Sequence, residues 1–239
     1  MNRASDGLAK KVPSSDSHSR DGGAPEWSRR YAARHEMHDR FGSIWRLRVR
    51  SKCRHVFRDA LRSARSVLDV GAGRRRLEKR VAEWYPDILY RSMDIDRSTH
   101  QDYYRLEDVD RTFDVVMGFE VIEHLTVDKA CHLLADLYRI LNVGGWLVIS
   151  TPNTYYPPAF LRDSTHRTPF CYDELGALVT LAGFEVHQLV RIYNHPLHRK
   201  LAHQWLFGWL HRFMGIDFAK QIVLVTRKPT PRAQHLRLR

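Results

Sequence analysis

The chain has 239 residues and a mass of 28.1 kDa, enough for one decorated α/β domain and too little for two full ones. Hydrophobic residues make up 43% and charged residues 28%, no run approaches the roughly 18 apolar residues of a membrane-spanning helix, and the scattered Cys53, Cys131 and Cys171 form neither a disulfide framework nor a CxxC metal pair. The net charge of +12 is uneven: residues 1–66 carry +9, residues 67–185 carry −6 and residues 186–239 carry +9, so an acidic centre lies between basic ends that are either solvated faces or surfaces that meet phosphate.

Residues 1–25 are small and polar and read as a disordered tail, with no apolar stretch of signal-peptide length, which points to a cytoplasmic protein with reduced thiols. From residue 26 to 64, apolar residues such as Trp27, Tyr31, Phe41, Val56, Phe57 and Leu61 alternate with Arg and His, predicting an extension of one or two amphipathic helices. Ser66–Val70 is a short apolar strand ending in Gly71-Ala72-Gly73, and a basic helix follows over Arg74–Tyr85. Ile88–Met93 is a second strand, closed by Asp94. Phe113–Met117 is a third, running into Gly118 and then Glu120-Val-Ile-Glu-His124. A helix is predicted over Val127–Leu141, a turn over Asn142–Gly145 and a fourth strand over Trp146–Ser150. Tyr172–Leu181 reads as helix, Phe184–Val190 as strand, and Gln221–Thr226 as a final strand. The domain is expected over 65–230, with a helical insertion at about 195–217 and a basic tail over 231–239. Strands alternating with helices predict an α/β fold with a mostly parallel sheet covered on both faces, whose carboxyl strand ends share the edge where ligands bind.

The glycine turn is the first chemical signal. Glycines just past a strand permit positive φ and close approach of a ligand, and the following helix turns its amide end toward it. Asp94 closes the neighbouring strand, where an acid can accept both hydroxyls of a ribose. Either position, taken alone, also fits an ordinary turn.

With these residues in place, the sequence resembles the class I S-adenosylmethionine-dependent methyltransferases, particularly the small-molecule branch that includes ubiquinone-pathway O-methyltransferases. Four blocks carry the resemblance: Val67–Gly73, Met93-Asp94-Ile95, Phe113–Val116 running into Val121–Leu125, and Leu141–Gly145 before the fourth strand. The resemblance covers residues 64–190 and the last strand. It implies a Rossmann-like, doubly wound, seven-stranded sheet with an antiparallel last strand in a three-layer αβα arrangement. It also implies S-adenosylmethionine as cofactor, with Asp69, Gly71 and Gly73 around its methionine end, Asp94 on its ribose, and Gly118 and Phe119 beside its sulfonium. Two departures stand out. Arg75 occupies the place of the family's third glycine, and only 18 residues separate Asp94 from Phe113, which leaves Asp102 and Glu107 as the candidates for contacting adenine.

A second constellation is Glu120, Glu123 and His124, with His166 in Thr165–Phe170 further on. If Glu120 opens a helix, spacings of three and four place these side chains on one face. They then form a divalent-metal set of the Mg or Mn kind, as in relatives with the same E-x-x-E-H pattern, or they simply shape a turn. His166 and His124 are the candidate catalytic imidazoles, able to take a proton from an attacking hydroxyl near neutral pH. The wall of the pocket is the other role open to His166. Tyr155 and Tyr156 are expected at the same opening.

In the insertion, Ala202, Trp205, Leu206, Trp209, Leu210 and Phe213 fall on one helical stripe among basic residues. That pattern fits a lid, a dimer contact, core packing or docking of residues 198–215 on an anionic membrane at the inner face. The expected activity is O-methylation of a hydroxyl on a small-molecule, lipid-linked or saccharide acceptor. A metal-dependent RNA 2′-O-methyltransferase, which adds a nucleic-acid partner, and a non-catalytic adaptor at a membrane surface are the alternatives.

Overall fold

Seven strands join into one sheet in the computed structural model, which describes residues 26–193 and 196–230. The segments read from the sequence as a disordered tail (1–25) and a basic tail (231–239) lie outside the described residues. In chain order the strands are β1 (Arg48–Arg50), β2 (Ser66–Val70), β3 (Leu89–Met93), β4 (Phe113–Phe119), β5 (Leu141–Pro152), β6 (Glu185–Ile192) and β7 (Gln221–Arg227). They lie in the order β1-β6-β7-β5-β4-β2-β3, parallel except for β7, which runs antiparallel to both β5 and β6. The helices are α1 (Glu26–Phe41), α2 (Arg54–Leu61), α3 (Arg76–Trp84), α4 (Val127–Ile140), α5 (Pro157–Leu161), α6 (Tyr172–Leu181), α7 (Leu197–Leu201) and α8 (Gly208–Phe213).

The central strands are apolar on both faces because helices cover both. In β2, Leu68 and Val70 enter a core with Leu134 and Leu137 of α4 and Leu175 and Leu178 of α6. Val67, pointing the other way, joins Phe57 and Leu61 of α2 and Val81 of α3. Helix α1 is part of this packing. Its Met37 is buried against Gly176 of α6, where an added Cβ would lie 3.1 Å from the Met37 sulfur, and Arg34 pairs with Asp173 at 3.1 Å.

Three local expectations are revised, and the short span between β3 and β4 is accounted for. The stretch between α1 and α2 holds a 3-10 turn over Ile44–Arg46 and then β1, paired parallel with β6. Its sequence, Arg-Val-Arg, has only one apolar residue to betray a strand. Between β3 and β4 there is neither a helix nor a further sheet strand: a 3-10 turn over Leu106–Asp108 and an isolated bridge from Met93 to Tyr103 fill the 18 residues, leaving β3 at the sheet edge. Asn142–Gly145 is an irregularity inside β5, since the pairing steps from Phe113↔Leu141 to Val115↔Trp146. Finally, the insertion is not one continuous helix. A π turn over Ala202–Leu206 separates α7 from α8, and the aromatic stripe is left outward, with Trp205 84%, Trp209 70% and Phe213 84% exposed. No helix among the described residues is long and apolar enough to cross a bilayer.

Candidate active site

The carboxyl ends of the parallel strands open onto a cavity of about 710 Å³. Its floor comes from β2 and β4: Asp69, Gly71 and Ala72 from the first, Phe119 and Glu120 from the second. Two adjacent parallel strands diverge at their carboxyl ends where their crossovers leave on opposite faces, and the opening forms there.

The turn after β2 is held by backbone bonds. The N–H groups of Gly71 and Ala72 both donate to the Met93 carbonyl, at 2.8 and 3.1 Å, and the Gly73 N–H donates to Asp94 Oδ2 at 2.8 Å. Gly71 has φ +71°, and a Cβ there would lie 2.3 Å from Val121 Cγ2. Gly73 has φ +50° and open space where its Cβ would be. Arg75, in the place of the family's third glycine, adopts the same left-handed region at φ 53°. Its guanidinium turns away from the cavity to Glu78 at 2.7 Å and Asp102 at 3.2 Å and lies over the Tyr90 ring. The hollow is therefore not blocked by Arg75. Arg76 and Leu77, at the amide end of α3, line its wall.

Asp69 is buried, and Tyr90 donates a hydrogen bond to it at 2.7 Å. Burial outweighs that bond, aided by the nearby Asp94 charge, and pushes its pKa up to about 7. Of the other cofactor candidates, Phe119 lines the cavity and packs on Phe57 of α2, with ring centroids 5.4 Å apart. Gly118 is buried within β4. Asp94 sits behind the glycine turn rather than in the cavity wall, its oxygens accepting from the N–H groups of Gly73 and Asp96. Asp102 is taken up by Arg75, Arg91 and Ser92, and Glu107 pairs with Arg105 on the surface, so neither is free for an adenine ring.

Glu120 does not open a helix. It has φ 56°, strained for a non-glycine residue, and its Oε1 accepts from Ser150 Oγ at 2.9 Å and Gln221 Nε2 at 2.7 Å. The short 3-10 turn begins only at Ile122, so the four-residue metal set divides. Glu120 faces the cavity, while ligand atoms of Glu123, His124 and His166 lie within 4.8 Å of one another on the far side of the turn. Glu123 is fully buried, and among the described residues neither carboxylate oxygen has a hydrogen-bond partner of good geometry, the Thr151 hydroxyl being the neighbour that partly offsets its burial. Burial, followed by the Glu120 charge, pushes its pKa up to about 8. The His166 ring hydrogen-bonds through Nδ1 to the Phe160 carbonyl at 2.8 Å, and the His124 ring through Nδ1 to Thr165 Oγ1 at 3.0 Å. Neither imidazole lines the 710 Å³ cavity. Tyr156 does, whereas Tyr155 packs against Trp45 and Tyr172.

Sequence reasoning missed the rim of the cavity. Lys52, Cys53 and Arg54 reach it from the start of α2, Arg80 from α3, Arg162 from the end of α5, and Lys220 from the approach to β7. The visible signal was the uneven basic charge. Its convergence on one opening depends on loops from opposite ends of the chain.

Residues 32–189 match the family model described as a methyltransferase domain. A probable S-adenosylmethionine-dependent methyltransferase of Mycolicibacterium smegmatis is 32% identical over an alignment of 155 residues that covers 55% of this chain and 56% of that relative's length. Among solved structures, a SAM-dependent methyltransferase from Archaeoglobus fulgidus shares the fold with TM-score 0.52 and 18% identity, over 81% of this chain and 99% of that one. An S-adenosylmethionine-dependent methyltransferase from Mesorhizobium loti does so with TM-score 0.53 and 14% identity, over 72% and 96%.

Proposed function

The chain belongs to the class I S-adenosylmethionine-dependent methyltransferases, and from that premise we propose that it methylates a hydroxyl on a small-molecule, lipid-linked or saccharide acceptor held in the 710 Å³ cavity. The observation that carries this reading is the convergence of Asp69, Gly71, Ala72, Phe119 and Glu120 on one opening at the carboxyl ends of β2 and β4. The residues present fit the cofactor: the turn leaves a Cβ-sized space open at Gly73, with Asp69 one residue before the end of β2 and Asp94 directly after β3.

When bound, S-adenosylmethionine supplies an electrophilic methyl group to the acceptor oxygen. Asp69, Gly71 and Gly73 would hold its methionine end and Phe119 would lie beside the sulfonium, while Asp94, half-buried beside the turn and just outside the cavity lining, would take its ribose where the cofactor passes Gly73. Holding the acceptor against the methyl donor contributes about 7–11 kcal/mol of barrier reduction, more than one general base provides. A hydroxyl acceptor must also lose its proton, and the Glu120 carboxylate is the acid–base group that reaches the cavity wall from β4. Phe57 and Phe119 exclude water from that side. His166 and His124, the imidazoles read from the sequence as catalytic, would bear on the cavity indirectly, His166 through its bond to the Phe160 carbonyl of α5.

Glu123, His124 and His166 favour one addition, a divalent metal. The buried Glu123 carboxyl, with ligand atoms of two imidazoles within 4.8 Å, is the kind of donor set that Mg or Mn, or a softer ion such as Zn, would satisfy. This is the feature that speaks for the RNA 2′-O-methyltransferase alternative. The adaptor alternative drew on Arg75, which turns away from the cavity. The exposed Trp205, Trp209 and Phe213 support a peripheral site at an anionic membrane and a cytoplasmic location against its inner face.

Titration calorimetry with S-adenosylhomocysteine tests the central reading. The wild-type chain is expected to bind, and Asp94→Ala to lose about a hundredfold in affinity, since both a carboxylate and the hold on the Gly73 N–H disappear. No binding by a folded wild-type chain would overturn it.

A further inference from the structure

Six cations line the cavity: Lys52, Arg54, Arg76, Arg80, Arg162 and Lys220. They come from four separate parts of the chain, the start of α2, α3, the end of α5 and the approach to β7. Some arginines elsewhere are paired, as Arg34 is with Asp173, Arg75 with Asp102 and Arg191 with Asp217; what sets the rim apart is that its cations converge on one opening. None of the six rim side chains has an ion pair or a hydrogen bond among the described residues. Only two acids reach the cavity, Asp69 on the floor and Glu120 beside it, and both bond to neutral donors rather than to the rim cations, so the lining keeps an excess of positive charge.

Gathering like charges around one opening costs free energy unless something of opposite sign enters. The cofactor does not supply it. S-adenosylmethionine carries a sulfonium and an ammonium against a single carboxylate, so its arrival adds positive charge. The missing negative charge must come with the other substrate. We propose that the methyl acceptor carries a phosphate group, bound by this rim while its hydroxyl faces the floor. Four of the six cations are arginines, whose forked donors match phosphate oxygens two at a time. This assignment rests on the methyltransferase reading of the same cavity, and it adds the substrate class.

The test uses the full chain saturated with S-adenosylhomocysteine and inorganic pyrophosphate as probe, titrated calorimetrically at low salt. The proposal expects pyrophosphate to bind, and Arg80→Gln/Arg162→Gln to weaken it by about tenfold or more. Lys129→Gln, which removes an exposed cation on α4, should leave it unchanged. Both rim arginines are exposed, so the melting temperature and the S-adenosylhomocysteine affinity of the double variant should stay at wild-type values. Pyrophosphate binding that is absent, or equal in wild type and double variant, overturns the proposal. Failure of S-adenosylhomocysteine to bind overturns the cofactor reading instead, and the two results are read independently. Competition separates the sources of phosphate. Displacement of pyrophosphate by phosphatidylglycerol vesicles, and not by phosphatidylcholine vesicles, supports a lipid-borne phosphate; retention against both supports a soluble phosphorylated acceptor.

Discussion

Gly71 satisfies two demands that no other residue meets together: φ +71° and no room for a Cβ beside Val121 Cγ2. Gly71→Val is expected to cost about 2–4 kcal/mol, combining backbone strain with overpacking, and to abolish S-adenosylhomocysteine binding. Urea unfolding and calorimetry together check this; a wild-type unfolding midpoint would show that the turn is not held as described. Asp69 gives a prediction with a pH sign. Its folded pKa of about 7 lies above that of an unfolded aspartate, so above about pH 4 the unfolded chain binds fewer protons and stability falls until pH passes about 7. Tyr90 donates to the carboxylate and limits that loss. Tyr90→Phe is therefore expected to destabilise by about 1–2 kcal/mol at about pH 8 and by less at about pH 5. Equal losses at both pH values would separate Tyr90 from the ionisation of Asp69. The turn at Gly71 was legible in the sequence because a strand followed by glycines is a local pattern, whereas Asp69 stood out only through the family resemblance. The rim was not, because Lys52 and Lys220 lie far apart in the chain and share an opening only through the sheet order.

At the level of elements, periodicity served well where a segment has one buried face. Helix α6 matches its expected span, Tyr172–Leu181, and α4 comes within a residue of its own. It failed in two physically different ways. Strand β1 is three residues long and draws its place from pairing with β6, which no local pattern encodes. In residues 197–213 the apolar stripe is real, but the π turn shifts the phase and removes it from the core. A stripe that packs inside is costly to truncate, whereas one that meets a membrane is not. Trp205→Ala/Trp209→Ala is accordingly expected to change stability by less than about 0.5 kcal/mol while reducing cosedimentation with phosphatidylglycerol vesicles severalfold. A large stability loss would return the segment to the core. The contact between α1 and α6 is the contrasting case. Gly176 has Met37 against it, with a built Cβ only 3.1 Å from the sulfur, so Gly176→Leu should cost about 1–3 kcal/mol, measurable by thermal unfolding.

Across the whole molecule, a buried ion pair joins distant parts of the chain to the rim of the cavity. Arg191 of β6 meets Asp217 at 2.9 Å, and its other donors reach the Trp45 and Leu47 carbonyls ahead of β1. Asn153, at the end of β5, donates to both Asp217 Oδ2 and the Ala219 carbonyl. Lys220 and Gln221, which line the cavity, follow directly. Burial, with the nearby Arg212 charge, draws the Arg191 pKa down and the Asp217 carboxylate opposes it, so the guanidinium is tolerated inside only with its partner present. Asp217→Ala strands that charge and is expected to cost about 3–5 kcal/mol, whereas Arg191→Met/Asp217→Leu, which removes both charges and keeps the volume, should cost clearly less than the single substitution. If the double variant loses as much as Asp217→Ala or more, the pair is not coupled. If it loses less, the double variant allows a second reading from the same protein: with the hold on the Asn153–Ala219 segment weakened, pyrophosphate affinity should fall through Lys220 while the glycine turn after β2, which touches none of these residues, keeps its grip on S-adenosylhomocysteine.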